Sequence, residues 1–330
     1  MRLLNGPIHS RDPSGNSMST NRTGYTNSSE RILGIPVSLL SLNTLTDKAL
    51  QALDTAGVPF TVAFANPHSL VVSRRDDIFR RALESASVVA PDGAGIVIAS
   101  TLHGGGIRKR ITGFDFFEGF SRILNERGGR RCFFLGSSRK TLDRLQVRFE
   151  KLYPSITFAG SYSPPYREKF SKEETAAMVS AVNAAKADVL WISLTAPKQE
   201  KWMHLNAASL DVKVIGAIGA VFDYFAGNIR RPGKLWRACG LEWFPRLLQE
   251  PRRLWRRNFI SSLHFMYLTT MEPNRRHTEF RRSFPEREID LPESPFALLG
   301  RMEEETARRR LDDFMDREDR KESLLTKDNF

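Results

Sequence analysis

Several short stretches of this 330-residue sequence hold side chains that handle protons, sugars or phosphates, each beside a turn. Asp92, in Pro91-Asp92-Gly93, is a carboxylate on a tight turn, where it can accept a proton from a substrate hydroxyl. The commoner role of an aspartate in an isolated PDG is to cap the following helix from the turn. Asn66, ahead of Pro67 and His68, either orients a sugar hydroxyl through its amide or simply ends a strand, and His68 fits a surface position as well. Gly136, Ser137 and Ser138 follow the apolar run RCFFL and present backbone donors at a helix N-terminus, a seat for a diphosphate, although the spacing is neither a G-x-G-x-x-G nor a Walker loop. Gly216, Gly219 and Gly227 allow backbone to approach a ligand, and Asp223 among them either accepts bonds from a ribose or base or caps a helix. In TAPKQEKW, residues 195–202, a helix-starting proline precedes Lys198, Gln199 and Glu200, while Glu200 and Lys201 also fit a solvated first turn.

The elements that must position these groups alternate in type. Apolar runs predict strands at 32–40, 59–65, 87–90, 131–135, 156–160, 188–194 and 212–217. Helical spacing predicts helices at 46–56 (capped by Thr46 or Asp47), 67–83, 113–126, 138–152, 172–186 and 197–206, with a buried helix starting at AGIVIAS. Such alternation implies an α/β fold with a doubly wound, mainly parallel sheet of Rossmann-like type, helices on both faces. Functional groups in such folds gather where strands end, and Asn66, Asp92, Gly136 with Ser137, and 195–200 all stand at strand ends. The chain divides into a polar, disordered leader (1–30), an α/β catalytic domain (31–230), a basic, aromatic, helical appendage (231–270) and a charged, largely disordered tail (271–330).

Composition narrows the partners. A net charge of +12 and a pI near 9.9 call for something acidic: nucleic acid, anionic lipid or a phosphorylated substrate. Cys132 and Cys239 stand far apart, and the six histidines are scattered, so neither a disulfide framework nor a dedicated metal site is expected, and a reducing cytoplasm fits. No run of eighteen apolar residues is present; 259–268 (FISSLHFMYL) can lie on a membrane but not cross it. The segment 240–257, GLEWFPRLLQEPRRLWRR, interleaves arginines with Trp243 and Trp255, and only Glu242 and Glu250 oppose nine bases between Arg230 and Arg257. Tryptophan suits the boundary between water and hydrocarbon; the alternative is a basic surface helix whose tryptophans enter the core.

Taken in order, NPHSL, PDGAG, KRITGFD, FFLGSS, TAPKQEKW, GAIGAVFDYFAG and the 240–257 block resemble the WecG/TagA/CpsF family of bacterial glycosyltransferases, over about residues 32–257. The resemblance implies inverting transfer of a hexose-type sugar (N-acetylmannosamine, its uronic acid or glucose) from a UDP donor to a saccharide on undecaprenyl diphosphate, in cell-surface or exopolysaccharide synthesis, with no metal or cofactor. It implies Asp92 as general base and Asn66, Arg110 and Gln199 as lining of the site. Asp223 then contacts the nucleotide. Arg246, Arg253 and Arg256 belong to a C-terminal appendage that closes over the diphosphates and brings a cytoplasmic enzyme to the anionic inner face of the cell membrane. Phe64 stands where many relatives carry threonine, and Ser193 and Thr195 replace common glycines. A homo-oligomer is left open. A nucleic-acid-binding protein is the competing reading of the charge, but it gives PDG and PKQE no role, so no nucleic acid is expected. A non-catalytic membrane scaffold is the second competitor.

Overall fold

The computed structural model describes residues 28–229, Gly233 and 261–271. The chain opens on a hairpin, β1 (Ser29–Ile32) and β2 (Ile35–Ser38), paired antiparallel in a sheet of its own. One strand was expected here. The chain reverses because Leu33 and Gly34 both take positive φ (48° and 85°), the conformation of a two-residue hairpin turn. Helix α1 (Leu42–Leu53) starts earlier than expected, since Ser41 caps it by accepting from the Thr44 amide, and Thr46 lies buried inside.

Then come β3 (Phe60–Ala65), α2 (Pro67–Ser73), α3 (Asp77–Ser85), β4 (Val88–Pro91) and α4 (Ala94–Leu102). The single helix expected over 67–83 is two, because Asp76 caps a new start by accepting from the Phe79 amide. The chain continues through α5 (Gly113–Arg127), β5 (Arg130–Gly136), α6 (Arg139–Leu152), β6 (Ile156–Tyr162), α7 (Lys172–Ala184), β7 (Val189–Ser193), α8 (Lys198–Asn206), β8 (Val214–Ala217) and α9 (Val221–Phe225). The last described helix is α10 (Ser261–Met271).

Six strands form one parallel sheet in the order β4-β3-β8-β7-β5-β6. This is the expected doubly wound α/β architecture, and the two faces of the sheet are filled differently. Side chains alternate along a strand, so Leu190 and Ile192 of β7 face one way and Trp191 the other. On the first face, aliphatic side chains of β3, β5, β7 and β8 pack with α2, α3, α4, α7 and α8, and Phe265 of α10 completes this core. On the second, Trp191 stands edge-on to Phe116 and Phe117 of α5, and Phe134 meets Phe149 of α6 at 4.9 Å and Phe222 of α9 at 5.6 Å. Edge-on pairs of this kind add about 0.5–1.5 kcal/mol each beyond the area they bury.

Gly216 belongs to this packing. A Cβ there would lie 2.6 Å from Cζ3 of Trp191, so the indole fills the space that the sequence suggested for a ligand.

Candidate active site

Because the sheet is parallel, every strand delivers its last residue to one edge. At the β3–β4 end two backbone hydrogen bonds draw three motifs together. The Asp92 amide donates to the Ala65 carbonyl at 2.7 Å, which sets Asp92 beside Asn66. The Ile111 amide donates to the Pro91 carbonyl at 2.7 Å, which brings Arg110 to the same turn. Asn66, Asp92 and Arg110 are all half-buried, as groups lining a crevice must be. The first turn of α4 also rests on that of α2: a Cβ on Gly95 would lie 2.6 Å from Cγ of Pro67, so PDGAG and NPH fit together as one unit.

Gly93, with φ 98°, occupies the cap position of α4, so Asp92 stands one residue ahead of the cap. Asn66 ends β3, one of its two sequence readings, and also caps α2, its Oδ1 accepting from the Ser69 amide at 3.0 Å while the Ser69 hydroxyl accepts from the Asn66 amide at 2.7 Å. With Oδ1 so used, its Nδ2 is the part suited to meeting a ligand. His68 is not a bare surface residue, since its Nδ1 lies 2.9 Å from the Ser261 hydroxyl of α10. No local signal could have shown this, because the partners are 193 residues apart.

Gly136 and Ser137 end β5 with consecutive positive φ values, 119° and 61°, and turn the chain into α6, which Ser138 caps. The Ser163 hydroxyl donates to the Ser137 carbonyl at 2.7 Å and braces the turn. At the end of β8, Asp223 is half-buried in the first turn of α9 without capping it; its Oδ1 accepts from Nδ2 of Asn228 at 3.4 Å, and the same amide donates to the Thr141 hydroxyl of α6 at 2.9 Å. Asp223 and the Gly136 turn thus flank one side of the edge.

Gln199 is buried at 4 % exposure, and its amide is fully employed. Its Nε2 donates to Oε1 of Glu200 at 2.8 Å and to the Ala217 carbonyl at 3.1 Å, and its Oε1 accepts from the Gly219 amide at 3.1 Å. The Ser193 hydroxyl donates to the carbonyl of the same Gly219. Both polar groups of the Gly219 peptide backbone are therefore held by side chains from β7 and α8, and Gln199 shapes the β8–α9 turn. Glu200, expected in a solvated first turn, is buried at 2 % exposure, whereas Lys201 pairs with Asp76. The sequence signal for Glu200 was its adjacency to Gln199 and Trp202 on a helix with a buried side. Lys198 donates to the Arg167 carbonyl at 2.6 Å and lies 4.9 Å from the Phe170 ring centre, and this desolvation holds its ammonium pKa below the usual lysine value.

Phe64 is buried, its ring centroid 6.2 Å from that of Phe116. Arg246, Arg253 and Arg256 lie outside the described residues. Among the described residues, no three His, Cys, Asp or Glu side chains gather as a metal site would require.

A sequence model of the glycosyl transferase WecG/TagA/CpsF family matches residues 30–279. An N-acetylglucosaminyldiphosphoundecaprenol N-acetyl-beta-D-mannosaminyltransferase of Bacillus subtilis (strain 168) is 26 % identical over 248 residues, covering 75 % of this chain and 93 % of that protein. The same-named protein of Bacillus spizizenii is 29 % identical over 196 residues (59 % and 73 %), and that of Staphylococcus aureus (strain MW2) 24 % over 206 residues (62 % and 78 %). With the motifs gathered at one sheet edge and most of the chain matched, this protein belongs to the WecG/TagA/CpsF family of glycosyl transferases.

Proposed function

We propose that this chain is an inverting glycosyltransferase that moves a hexose-type sugar, N-acetylmannosamine in the first instance, from a UDP donor to a saccharide on polyprenyl diphosphate. The observation that carries the reading is the convergence of Asn66, Asp92 and Arg110 through two backbone hydrogen bonds. The names of the relatives supply the sugar and the acceptor class.

The dimensions suit the substrate. From β4 to β5 the sheet order counts four strand spacings, about 19 Å of edge at ~4.8 Å each. That length takes an extended nucleoside-diphosphate sugar, with the nucleotide toward the Gly136–Ser137 turn and Asp223, and the reacting carbon toward Asp92. A single displacement inverts the anomeric carbon. The acceptor hydroxyl oxygen forms the new bond to the sugar C1, its proton passes to the Asp92 carboxylate, and the bond from C1 to the β-phosphate oxygen breaks with its electron pair leaving on UDP.

The charge developing on UDP needs cations. Arg246, Arg253 and Arg256 supply them in this reading, since guanidinium forks bind phosphate oxygens bidentately and stay protonated. No metal takes part in the proposed step, so turnover survives EDTA. The work is done by a cytoplasmic enzyme resting on the inner face of the cell membrane.

The test is a panel of UDP-sugars offered with a short-chain polyprenyl-diphosphate N-acetylglucosamine. Transfer from one of them with inverted configuration, read by NMR, is expected. Absence of transfer from every donor, with single-stranded DNA rather than UDP raising the melting temperature, would put the nucleic-acid reading in its place.

A further inference from the structure

Among the described residues, ten large apolar side chains are exposed, and half of them lie on two helices that touch. Ile98 and Leu102 of α4, and Leu263, Tyr267 and Met271 of α10, are between 49 and 64 % exposed. Within each helix these residues recur at intervals of four, so each set forms one stripe. Opposite the stripes, Ile96 and Ala99 of α4 and Phe265 of α10 enter the same hydrophobic core. Two neighbouring helices that bury one side in a common core turn their other sides outward together. Neither helix contains Asp, Glu, Lys or Arg.

The rim of this face is basic. The loop after α4, residues 103–110 (HGGGIRKR), carries Arg108 and Lys109 exposed and no acid. It is pinned, since the Ile107 amide donates to the Ser100 hydroxyl at 3.0 Å and the Gly106 amide to Oε2 of Glu30 at 2.6 Å. An uncharged apolar face with tyrosine in it and cations at its border has the chemistry of the interface of an anionic bilayer: apolar groups enter the acyl boundary while bases meet the headgroups. No described helix is long and apolar enough to cross a membrane, and α10, at about 16 Å long, lies along the surface.

We infer that the outward faces of α4 and α10, rimmed by Arg108 and Lys109, seat this enzyme on an anionic bilayer and so set the β3–β4 end of its active site toward the lipid. The attachment is direct at both helices. The first residue of α4 is two positions from Asp92, and α10 is hydrogen-bonded to His68, two positions from Asn66. Leu102 is about 14 Å of helix from that turn, so a diphosphate held at headgroup level lies within reach of Asp92. This rests on the proposed lipid-linked acceptor for its purpose, whereas the bilayer contact itself is measured without any substrate.

The experiment uses the full chain with phosphatidylcholine vesicles, with and without phosphatidylglycerol. Ile98→Gln/Leu102→Gln/Tyr267→Gln should lower the partition coefficient at least tenfold on either vesicle, and Arg108→Glu/Lys109→Glu should lower it on the anionic vesicles. Both variants should keep the parent melting temperature and parent turnover on a water-soluble short-chain acceptor. The apolar variant should turn over slowly on an acceptor embedded in vesicles. Parent-like vesicle binding by the apolar variant overturns the inference, as does equal loss of turnover on the soluble acceptor. Loss of a dimer with vesicle binding intact assigns the face to a contact between copies. Failure of every acceptor with the variant effects on vesicle binding intact would refute the proposed reaction and leave the bilayer surface standing.

Discussion

At the scale of single residues, Asp92 and Gln199 show how differently two motif residues are placed. Asp92 sits half-buried on the turn that joins β4 to α4, one residue ahead of the cap position of that helix. Asp92→Asn is therefore expected to keep UDP binding and lose transfer by about a hundredfold or more, the loss of a general base, with UDP titration and single-turnover kinetics separating the two. Near-parent turnover in that variant removes Asp92 from the chemistry. Gln199 has its amide committed to Glu200, Ala217 and Gly219, so truncation leaves buried polar groups unpaired. Gln199→Ala should cost about 1–3 kcal/mol of stability in urea titration and raise the KM for the UDP-sugar through the displaced Gly219 turn. An unchanged denaturation midpoint accompanied by a lower kcat would return Gln199 to direct contact with substrate.

Elements were legible in the sequence wherever a pattern is local. The apolar runs of β3, β5, β7 and β8 and their turn residues set out the succession of strands and helices, and the position of each motif just after an apolar run put Asn66 and Asp92 at strand ends. What escaped was long-range or stereochemical. Leu33 in a left-handed conformation splits one expected strand into a hairpin, and Asp76 breaks one expected helix into α2 and α3 because its capping bond and its ion pair to Lys201 outweigh continuous helical spacing. The α3–α8 contact carries a pH dependence of its own. His204 of α8, beside the Ser85 hydroxyl at 2.6 Å, has its pKa lowered from the ordinary 6.5 by desolvation and by the nearby Arg81. The unfolded chain then takes up a proton before the folded chain does. Stability should be level above neutrality, fall as the pH drops through 6.5, and level off once folded His204 is also protonated. Urea midpoints at about pH 7.5 and about pH 5.5 should differ less in His204→Gln than in the parent; an equal difference in both would show that other groups set the acid limit.

At the scale of the whole molecule, charge and aromatic residues are sorted by place. Arg253 and Arg256 are three apart and Arg246 seven before Arg253, a spacing that sets all three near one stripe if that segment is helical. A bilayer reads mainly charge, whereas a diphosphate reads the planar fork. Arg→Lys at one or more of these positions should therefore lower turnover on a soluble acceptor at least about tenfold, a loss of ~1.4 kcal/mol, with vesicle binding nearly unchanged. Parent-like rates in all three lysine variants would make them anchors. The five tryptophans are divided in the same way. Trp191 is sealed among phenylalanine rings and Trp202 lies in the aliphatic core, so both emit from apolar surroundings before any lipid is added. Trp236, Trp243 and Trp255 all stand in the basic segment. The protein thus holds an internal optical reference, and a blue shift or loss of acrylamide quenching on adding vesicles is a signal from those three indoles, obtained without a label.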